Sequence, residues 1–265
     1  MTVPVADTPA HLFGDGSALR AYFKEIQYML LKLVRERGFA FSVIGFPVVF
    51  FLLFGLANRN ELFHGHPVAR YLVVSYSCFG AMGAAFFAVG VGLAYERGHG
   101  WLELKRISPM PTAAYLFSKI FASIVFALVI VAVLITIGLA TTNMRISILE
   151  GLHLAVVIAG GVVAFASMGV LAGLLIPPSS AASTINFIYL PLSLCGGLWM
   201  PIEALPNWLQ SFARLLPSYY YSRLGLHALG YFDESETVGW LVLAGYAIVF
   251  TIASAIVFRK QEAAR

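Results

Sequence analysis

The sequence predicts an all-α polytopic membrane protein, and its composition and the pattern of its apolar runs both support this. The chain of 265 residues is 60% hydrophobic and only 11% charged, with a mean hydropathy of +0.84. A soluble domain cannot bury so much apolar surface, so the hydrocarbon of a bilayer must surround it. The apolar runs lack the alternating pattern of a membrane barrel, which leaves helices as the spanning elements. At this length we expect a single transmembrane domain over 1–265.

The segment 1–37 is predicted to be a cytoplasmic tail followed by an amphipathic helix in the membrane interface. Apolar residues recur at spacings of three and four between Leu19 and Leu33, with lysines and arginines among them. An apolar face beside a basic face suits the headgroup region. An ordinary surface helix is the less favoured alternative, because an apolar run begins directly afterwards. We expect no cleavable signal peptide, since no cationic start precedes an apolar run in 1–20.

Six apolar segments follow, each close to the roughly 20 residues that a helix needs to cross a bilayer. They cover 39–57, 71–95, 113–140, 154–176, 179–202 and 238–258, and we number them spans one to six. Span three carries Lys119 near its start, where its ammonium group is expected to reach the headgroups.

The region 203–230, between spans five and six, contains two shorter helix-capable pieces separated by Pro217. Pieces of this length are too short to cross, and they are too apolar and aromatic for a free loop. We therefore predict a re-entrant helical hairpin that enters the membrane from outside. An aromatic belt packed on the bundle is the other interpretation, and both can hold.

The distribution of positive charge predicts the orientation. With the N-terminus inside, most of the 17 lysines and arginines fall on the inner side. The outer side keeps Arg59, Arg70, Arg145, Arg214 and Arg223. The positive-inside rule then places both termini and the loop 96–112 in the cytoplasm. The positive net charge is thus a topology signal, and nucleic acid is not an expected partner.

The chain lacks the residue patterns of several functional classes. No lysine follows a glycine, so there is no Walker A loop, and no hydrolase or zinc-protease motif is present. No acid or arginine lies deep in a span, which disfavours a proton relay. The two cysteines, Cys78 and Cys195, lie in apolar runs. The two histidines His64 and His66 have no further ligands nearby in the sequence, so no metal site is predicted.

One polar residue stands out within span five. Asn186, with its neighbours Phe187 and Tyr189, forms a candidate translocation path. Hydrogen bonding between packed helices is the alternative role for Asn186.

Two motifs carry a resemblance to a known family. The first is Glu-Arg-Gly-His-Gly-Trp-Leu-Glu-Leu-Lys-Arg-Ile-Ser-Pro-Met-Pro over 96–111, directly after span two. The second is Leu-Cys-Gly-Gly-Leu-Trp-Met-Pro-Ile-Glu over 194–203, followed by Leu-Pro-Asn-Trp-Leu and later Leu-Pro-Ser-Tyr. Both motifs, in this order and next to these spans, resemble the permease subunit of the type-2 ABC exporter family. Trp101 departs from the threonine frequent in that family.

The resemblance covers essentially the whole chain and implies particular partners. The family works as two permease copies, identical or related, with two ATPase subunits in a membrane. By this resemblance ATP and Mg²⁺ belong to the cognate ATPase chains, and this chain holds no cofactor and is not itself an enzyme.

The resemblance also implies two groups of functional residues. A cytoplasmic coupling loop needs charges for docking, glycines for a sharp exit from span two and prolines at its end. The residues expected to couple to the ATPase are Glu96, Arg97, Gly98, Gly100, Leu102, Glu103, Lys105, Arg106 and Pro109. The residues expected to form an outer re-entrant gate are Gly196, Gly197, Pro201, Glu203, Pro206, Trp208, Pro217 and Tyr219.

The expected function is therefore that of the membrane permease of an ATP-driven exporter in a bacterial cell membrane. The aromatic content of 14% favours an amphipathic or apolar substrate, such as a drug, an antibiotic or a lipid. A stand-alone secondary transporter driven by an ion gradient is the alternative, and the missing intramembrane acids argue against it.

Overall fold

The computed structural model describes residues 15–101, 112–232 and 235–263, and these are helical nearly throughout. The α-helices are α1 (Asp15–Arg35), α2 (Arg37–Ala40), α3 (Phe46–Phe50), α4 (Val68–Ala84), α5 (Gly92–Gly98), α6 (Thr112–Thr141), α7 (Ile148–Leu175), α8 (Ala181–Cys195), α9 (Asn207–Ala213), α10 (Pro217–Ala228) and α11 (Thr237–Ala263). Two short strands, β1 (Leu62–Phe63) and β2 (His66–Pro67), pair in antiparallel orientation. The turn between them contains His64 and Gly65, which both have positive φ.

Three π-helical stretches join the shorter α-helices into longer rods. Phe41–Gly45 and Phe51–Gly55 flank α3, and Ala85–Val91 connects α4 to α5. A π-helical turn inserts an extra residue into a helix and is found often at functional sites. The consequence here is that spans one and two, unlike spans three, four and six, are not regular α-helices.

Four helices within the described residues are long and apolar enough to cross a membrane: Val68–Gly98, Tyr115–Thr141, Ile148–Leu175 and Thr237–Gln261. They correspond to spans two, three, four and six, so the prediction of long apolar helices is confirmed for these four. Span one forms the shorter apolar helix Phe41–Gly55. Span five forms α8, which has 15 residues.

The helix Val68–Gly98 lies at the centre of the bundle. Within its apolar 18-residue stretch, 94% is buried, whereas only 11% of the corresponding stretch of Thr237–Gln261 is buried. Helix α7 packs along this central helix and also contacts α6, α10 and α11. The two backbones approach closely at Gly90, because a Cβ added to Gly173 of α7 would lie 2.7 Å from the Gly90 carbonyl oxygen. Small residues permit such close approach of membrane helices.

Helix α8 ends earlier than the sequence predicted. The expected span ran to residue 202, but the helix stops at Cys195 and the chain turns through Gly197, which has a φ of +76°. Glycine adopts this left-handed conformation without the steric cost of a side chain, and it commonly ends helices. The two short pieces predicted after this turn are confirmed as α9 and α10, with Pro217 in the first turn of α10.

Candidate functional site

A cluster of charged groups joins three helices at the end of the bundle that carries Glu96. The Glu96 carboxylate, in α5, lies 2.6 Å from the Lys32 ammonium of α1 and 3.1 Å from the Lys119 ammonium of α6. The Tyr115 hydroxyl donates a hydrogen bond to the same carboxylate. Lys119 is only 1% exposed, so the expectation that it reaches the headgroups is wrong. Burying this ammonium group is costly unless it is paired, and Glu96 supplies a countercharge for it.

The neighbouring residues fix the end of α5 against the end of α7 and the turn that follows it. Arg97 donates hydrogen bonds to the carbonyl oxygens of Leu174 and Ile176, the latter at 2.8 Å. A Cβ added to Gly98 would lie 2.1 Å from Pro178, so a larger residue would force the ring or the helix end to move. Gly100 has a φ of +73°, which also favours glycine. Gly100 thus allows the chain to turn after span two, whereas Gly98 allows the end of α5 to pack closely on Pro178.

The sequence assigned nine residues to ATPase coupling, and the structure describes four of them. Leu102, Glu103, Lys105, Arg106 and Pro109 lie outside the described residues. Glu96 and Arg97 were expected to supply docking charges, yet each is paired with groups of this same chain. Both side chains attach the end of α5 to neighbouring segments of the bundle.

A cavity of about 870 Å³ lies beside the charged cluster and extends between spans one, two and five. Lys32, Glu36 and Lys119 line it near the Glu96 end, and Asn186 and Ser42 add uncharged polar groups. Much of its remaining wall is aromatic, contributed by Phe39, Phe46, Phe50, Phe79, Phe87, Tyr189 and Trp199. A volume of this size, largely apolar with a few polar groups, is typical of a small-molecule site.

The candidate translocation residues of span five divide between two faces of α8. Asn186 and Tyr189 both line the cavity. The Tyr189 side chain is buried, and its hydroxyl donates a hydrogen bond of 3.0 Å to the Phe79 carbonyl oxygen. Phe187 is 81% exposed and is not part of the cavity lining. Residues three apart share a helix face whereas residues two apart do not, which explains the division.

The sequence did not single out the aromatic side chains that spans one and two contribute to this wall. Phe46 and Phe50 are four residues apart, and Phe79 and Phe87 are eight apart, so each pair falls on one helix face. That spacing is the signal from which they could have been found. Trp199 had no such signal, because it enters the cavity only through the turn after α8.

The opposite end of the bundle contains the residues predicted to form an outer gate. A Cβ added to Gly196 would lie 2.5 Å from the side chain of Ser218, so α10 packs directly on the turn after α8. The Gly197 carbonyl accepts a 2.7 Å hydrogen bond from the Tyr71 hydroxyl. The motif that contains both glycines is therefore attached to the central helix and to α10.

Two of the remaining gate residues line a second cavity, of about 720 Å³, at this same end. Glu203 and Tyr219 line it, together with Arg214, Arg223 and His227. Pro201 precedes the single turn Ile202–Ala204, and Pro206 precedes α9. Trp208 is 71% exposed and Pro217 begins α10. These residues are thus brought into one region, although they do not converge on a single point.

A buried arginine holds this end of the bundle together. The Arg70 guanidinium, at the start of α4, lies 2.6 Å from the Glu150 carboxylate of α7. It also donates to the carbonyl oxygens of Arg145 at 2.8 Å and Leu229 at 2.7 Å. Burial raises the pKa of the nearby Tyr231, whose hydroxyl donates to the Pro67 carbonyl oxygen. No local sequence pattern predicts that these segments pair.

The described residues contain no group of three or more histidine, cysteine, aspartate or glutamate side chains that could hold a metal ion. The two histidines noted in the sequence pack against aromatic rings instead. His64 contacts Phe63 and Phe232, and His66 contacts Tyr231.

Comparison with known proteins gives two matches. Residues 23–229 match the family described as ABC-2 type transporter, which covers the chain from α1 to the end of α10. A protein of Bacillus subtilis (strain 168) named "Putative transport permease YvfS" is 29% identical over 233 residues. The aligned region covers 88% of this chain and 94% of that relative. The matched family consists of transport permease domains that lack an ATPase domain.

Proposed function

The chain belongs to the ABC-2 type transporter family as a multi-pass membrane permease, and on that premise we propose that it exports an amphipathic or apolar molecule. The energy comes from ATP hydrolysed on separate ATPase subunits, because this sequence contains no Walker A loop. ATP and Mg²⁺ accordingly bind the partner. Drugs, antibiotics and lipids are the substrate classes that fit.

The observation that supports this proposal best is the cavity between spans one, two and five. Its volume of about 870 Å³ suits a small organic molecule, and its aromatic wall favours apolar surface. Lys32 and Glu36 at one end provide polar partners for the head of an amphipathic molecule. Asn186 and Tyr189 belong to this path, and Phe187 faces away from it.

Coupling to the ATPase is proposed to occur through the loop 96–112. The pairing of Glu96 with Lys32 and Lys119 links the start of this loop to α1 and α6. A displacement of the loop by a bound ATPase would therefore be transmitted to both helices. In this proposal Glu96 and Arg97 hold the loop, while Glu103, Lys105 and Arg106 provide the docking charges.

The second copy of the permease is proposed to pack against spans one and five. Large apolar side chains are exposed on this side, including Phe41, Leu53, Phe187 and Leu190. Closing and opening of such an interface would give alternating access to the cavity. A related permease in place of an identical copy would use the same surface.

The proposed orientation has both termini in the cytoplasm of a bacterial cell membrane. This places the Glu96 end of the bundle inside, where ATPase subunits are found, and α1 at the inner membrane surface. Helices α9 and α10 then form the re-entrant hairpin on the outer side, and the second cavity opens outward. Spans one and five complete a set of six crossings.

The first experiment is a pull-down from membranes of the native host. A tagged chain should copurify a Walker A protein in a stable complex. Arg106→Ala should weaken this copurification, because it removes a proposed docking charge. Arg59→Ala is the matched control, since Arg59 is exposed at the other end of the bundle and should leave the complex intact.

The second experiment reconstitutes the purified complex into liposomes. ATP-dependent movement of a fluorescent amphipathic dye, blocked by vanadate, is the expected result. Dye movement by this chain alone, driven by an ion gradient without ATP, would establish the secondary-transporter alternative instead.

A further inference from the structure

Six aromatic side chains of spans one, two and five form an unbroken series of ring contacts, which we name the aromatic ladder. Its members are Phe87, Tyr189, Phe79, Trp199, Phe50 and Phe46. The successive distances between ring centroids are 5.8, 4.9, 5.9, 5.9 and 5.8 Å. Every member also lines the cavity of about 870 Å³.

Polar contacts fix the orientation of two rings in the ladder. The Trp199 indole N–H donates a 2.9 Å hydrogen bond to the Ser193 hydroxyl. The Tyr189 hydroxyl donates to the Phe79 carbonyl oxygen, and a Cβ at Gly83 would crowd that hydroxyl at 3.0 Å. These bonds limit rotation of both side chains. The ladder is therefore a preorganised surface, which lowers the entropic cost of binding.

Simple core packing does not account for this arrangement. Protein interiors are close-packed and leave few voids larger than a water molecule. Here a cavity of about 870 Å³ remains beside the rings, and Phe46 and Trp199 are 52% and 38% exposed. The backbone is also irregular at this place, because all three π-helical stretches adjoin rings of the ladder. Such irregularity is enriched at functional sites.

We infer that the aromatic ladder binds a flat aromatic or conjugated ring system, which narrows the substrate class beyond an amphipathic or apolar molecule. Aromatic rings bind other rings through offset stacking and edge-to-face contacts that an aliphatic chain cannot make. Asn186, on the same cavity wall, offers a hydrogen bond to a polar substituent. This inference rests on the proposed function, since it treats the cavity as the substrate path.

The test uses the purified chain in lipid nanodiscs with pyrenemethanol as the planar probe. Energy transfer from tryptophan to pyrene reports binding and should saturate above the signal of protein-free nanodiscs. Anthracenemethanol, which is planar, should displace the probe. Hexadecanol, an apolar alcohol without rings, should not displace it at the same concentration in the lipid.

Two phenylalanines of span one provide a matched pair of variants. Phe46 and Phe54 both contact the Phe50 ring, at 5.8 and 6.2 Å, and they are 52% and 48% exposed. Only Phe46 lines the cavity. Phe46→Leu should weaken pyrenemethanol binding by about three- to tenfold, as expected for the loss of one ring contact. Phe54→Leu should leave binding unchanged, and both variants should fold because leucine conserves apolar character.

Three outcomes would overturn the inference. One is equal displacement by hexadecanol, which would mean that the cavity accepts any apolar molecule. Another is equal binding by the Phe46→Leu and Phe54→Leu variants. A third is a change of oligomeric state in Phe46→Leu with unaltered binding, which would assign the ladder to contact between copies.

The assay contains no ATPase, so its result is separable from that of the proposed function. Selective binding without a copurifying Walker A protein would refute the exporter proposal and leave the ladder inference standing. ATP-driven export without ring selectivity would support the exporter proposal and refute the ladder inference.

Discussion

The ammonium group of Lys119 lies 3.1 Å from the Glu96 carboxylate, with the lysine side chain 1% exposed. The same carboxylate lies 2.6 Å from Lys32, so one acid is shared by two cations on different helices. Lys32 is 38% exposed, and exposed ion pairs contribute little to stability. Disrupting the pair formed by Glu96 and Lys119 should therefore lower stability more than disrupting the pair with Lys32.

Glu96→Gln should destabilise the protein strongly, because it removes the carboxylate that lies 3.1 Å from the buried Lys119 ammonium. Removing one partner of a buried ion pair typically costs about 3–5 kcal/mol. Thermal unfolding of the detergent-solubilised chain would show this as a lowered Tm. Adding Lys119→Met should restore most of the loss, since the buried charge is then gone.

Glu61→Gln is the control for this variant, because Glu61 is exposed at the other end of the bundle. It removes an equal charge and should leave the Tm unchanged. An equal Tm for Glu96→Gln and Glu61→Gln would show that the buried pair does not contribute to stability.

The sequence was sufficient for features that depend on local pattern. Long uninterrupted apolar runs predicted the four long helices, and Pro217 predicted the break between α9 and α10. Proline restricts the residue before it and lacks an N–H donor, so its effect can be read without tertiary information. The end of α8 was missed, because apolar residues continue to Ile202 and the signal lay in Gly197.

Pairings between distant segments were not predictable in the same way. Lys32 and Glu96 are 64 residues apart, and Arg70 and Glu150 are 80 apart. No local pattern specifies which charge meets which, since that follows from how the helices pack. The separation of Phe187 from Tyr189, in contrast, follows from helix geometry alone and could have been deduced beforehand.

Gly98→Ala should disturb the contact between the end of α5 and the turn that precedes α8. The added Cβ would lie 2.1 Å from Pro178, so the ring or the helix end must move. Overpacking of this kind typically costs about 1–3 kcal/mol. A lowered Tm is the expected result, together with weaker copurification of the ATPase if this turn positions the coupling loop.

Gly245→Ala serves as the comparison for this substitution. A Cβ at Gly245 meets nothing within 4 Å, so the Tm of the Gly245→Ala variant should not fall. A Tm for Gly98→Ala as high as that of Gly245→Ala would mean that Pro178 yields without cost.

Two glycines of helix α7 should respond in opposite ways to alanine. A Cβ at Gly173 would lie 2.7 Å from the Gly90 carbonyl oxygen and 2.8 Å from Leu93, which are both part of the central helix. A Cβ at Gly151 would meet nothing closer than 3.9 Å. Gly173→Ala should therefore lower stability by about 1–3 kcal/mol through overpacking. Gly151→Ala should be neutral or raise it by up to about 1 kcal/mol through helix propensity.

Thermal unfolding of the two glycine variants in the same detergent would measure this difference. Since both sites lie on one helix and receive the same methyl group, propensity alone would give both the same sign. A higher Tm for both variants would indicate that α7 and the central helix can separate slightly without loss.

Arg70→Lys should destabilise the other end of the bundle although it conserves charge. The guanidinium donates from two nitrogens to the Glu150 carboxylate and to the carbonyl oxygens of Arg145 and Leu229. A lysine ammonium is a single donor atom and cannot reach all three acceptors from the start of α4. Each buried acceptor left without a donor costs about 1–3 kcal/mol.

The control is Arg59→Lys, because Arg59 is exposed near the same end and the exchange again keeps the charge. Chemical unfolding in detergent should show a lower midpoint for Arg70→Lys. The midpoint for Arg59→Lys should be unchanged. Since Leu229 directly follows α10, proteolysis of the 203–230 region should also become faster in the first variant alone. Equal midpoints and equal cleavage rates would show that one cation at this position is enough, and that the three-way geometry of Arg70 adds nothing to the attachment of α10.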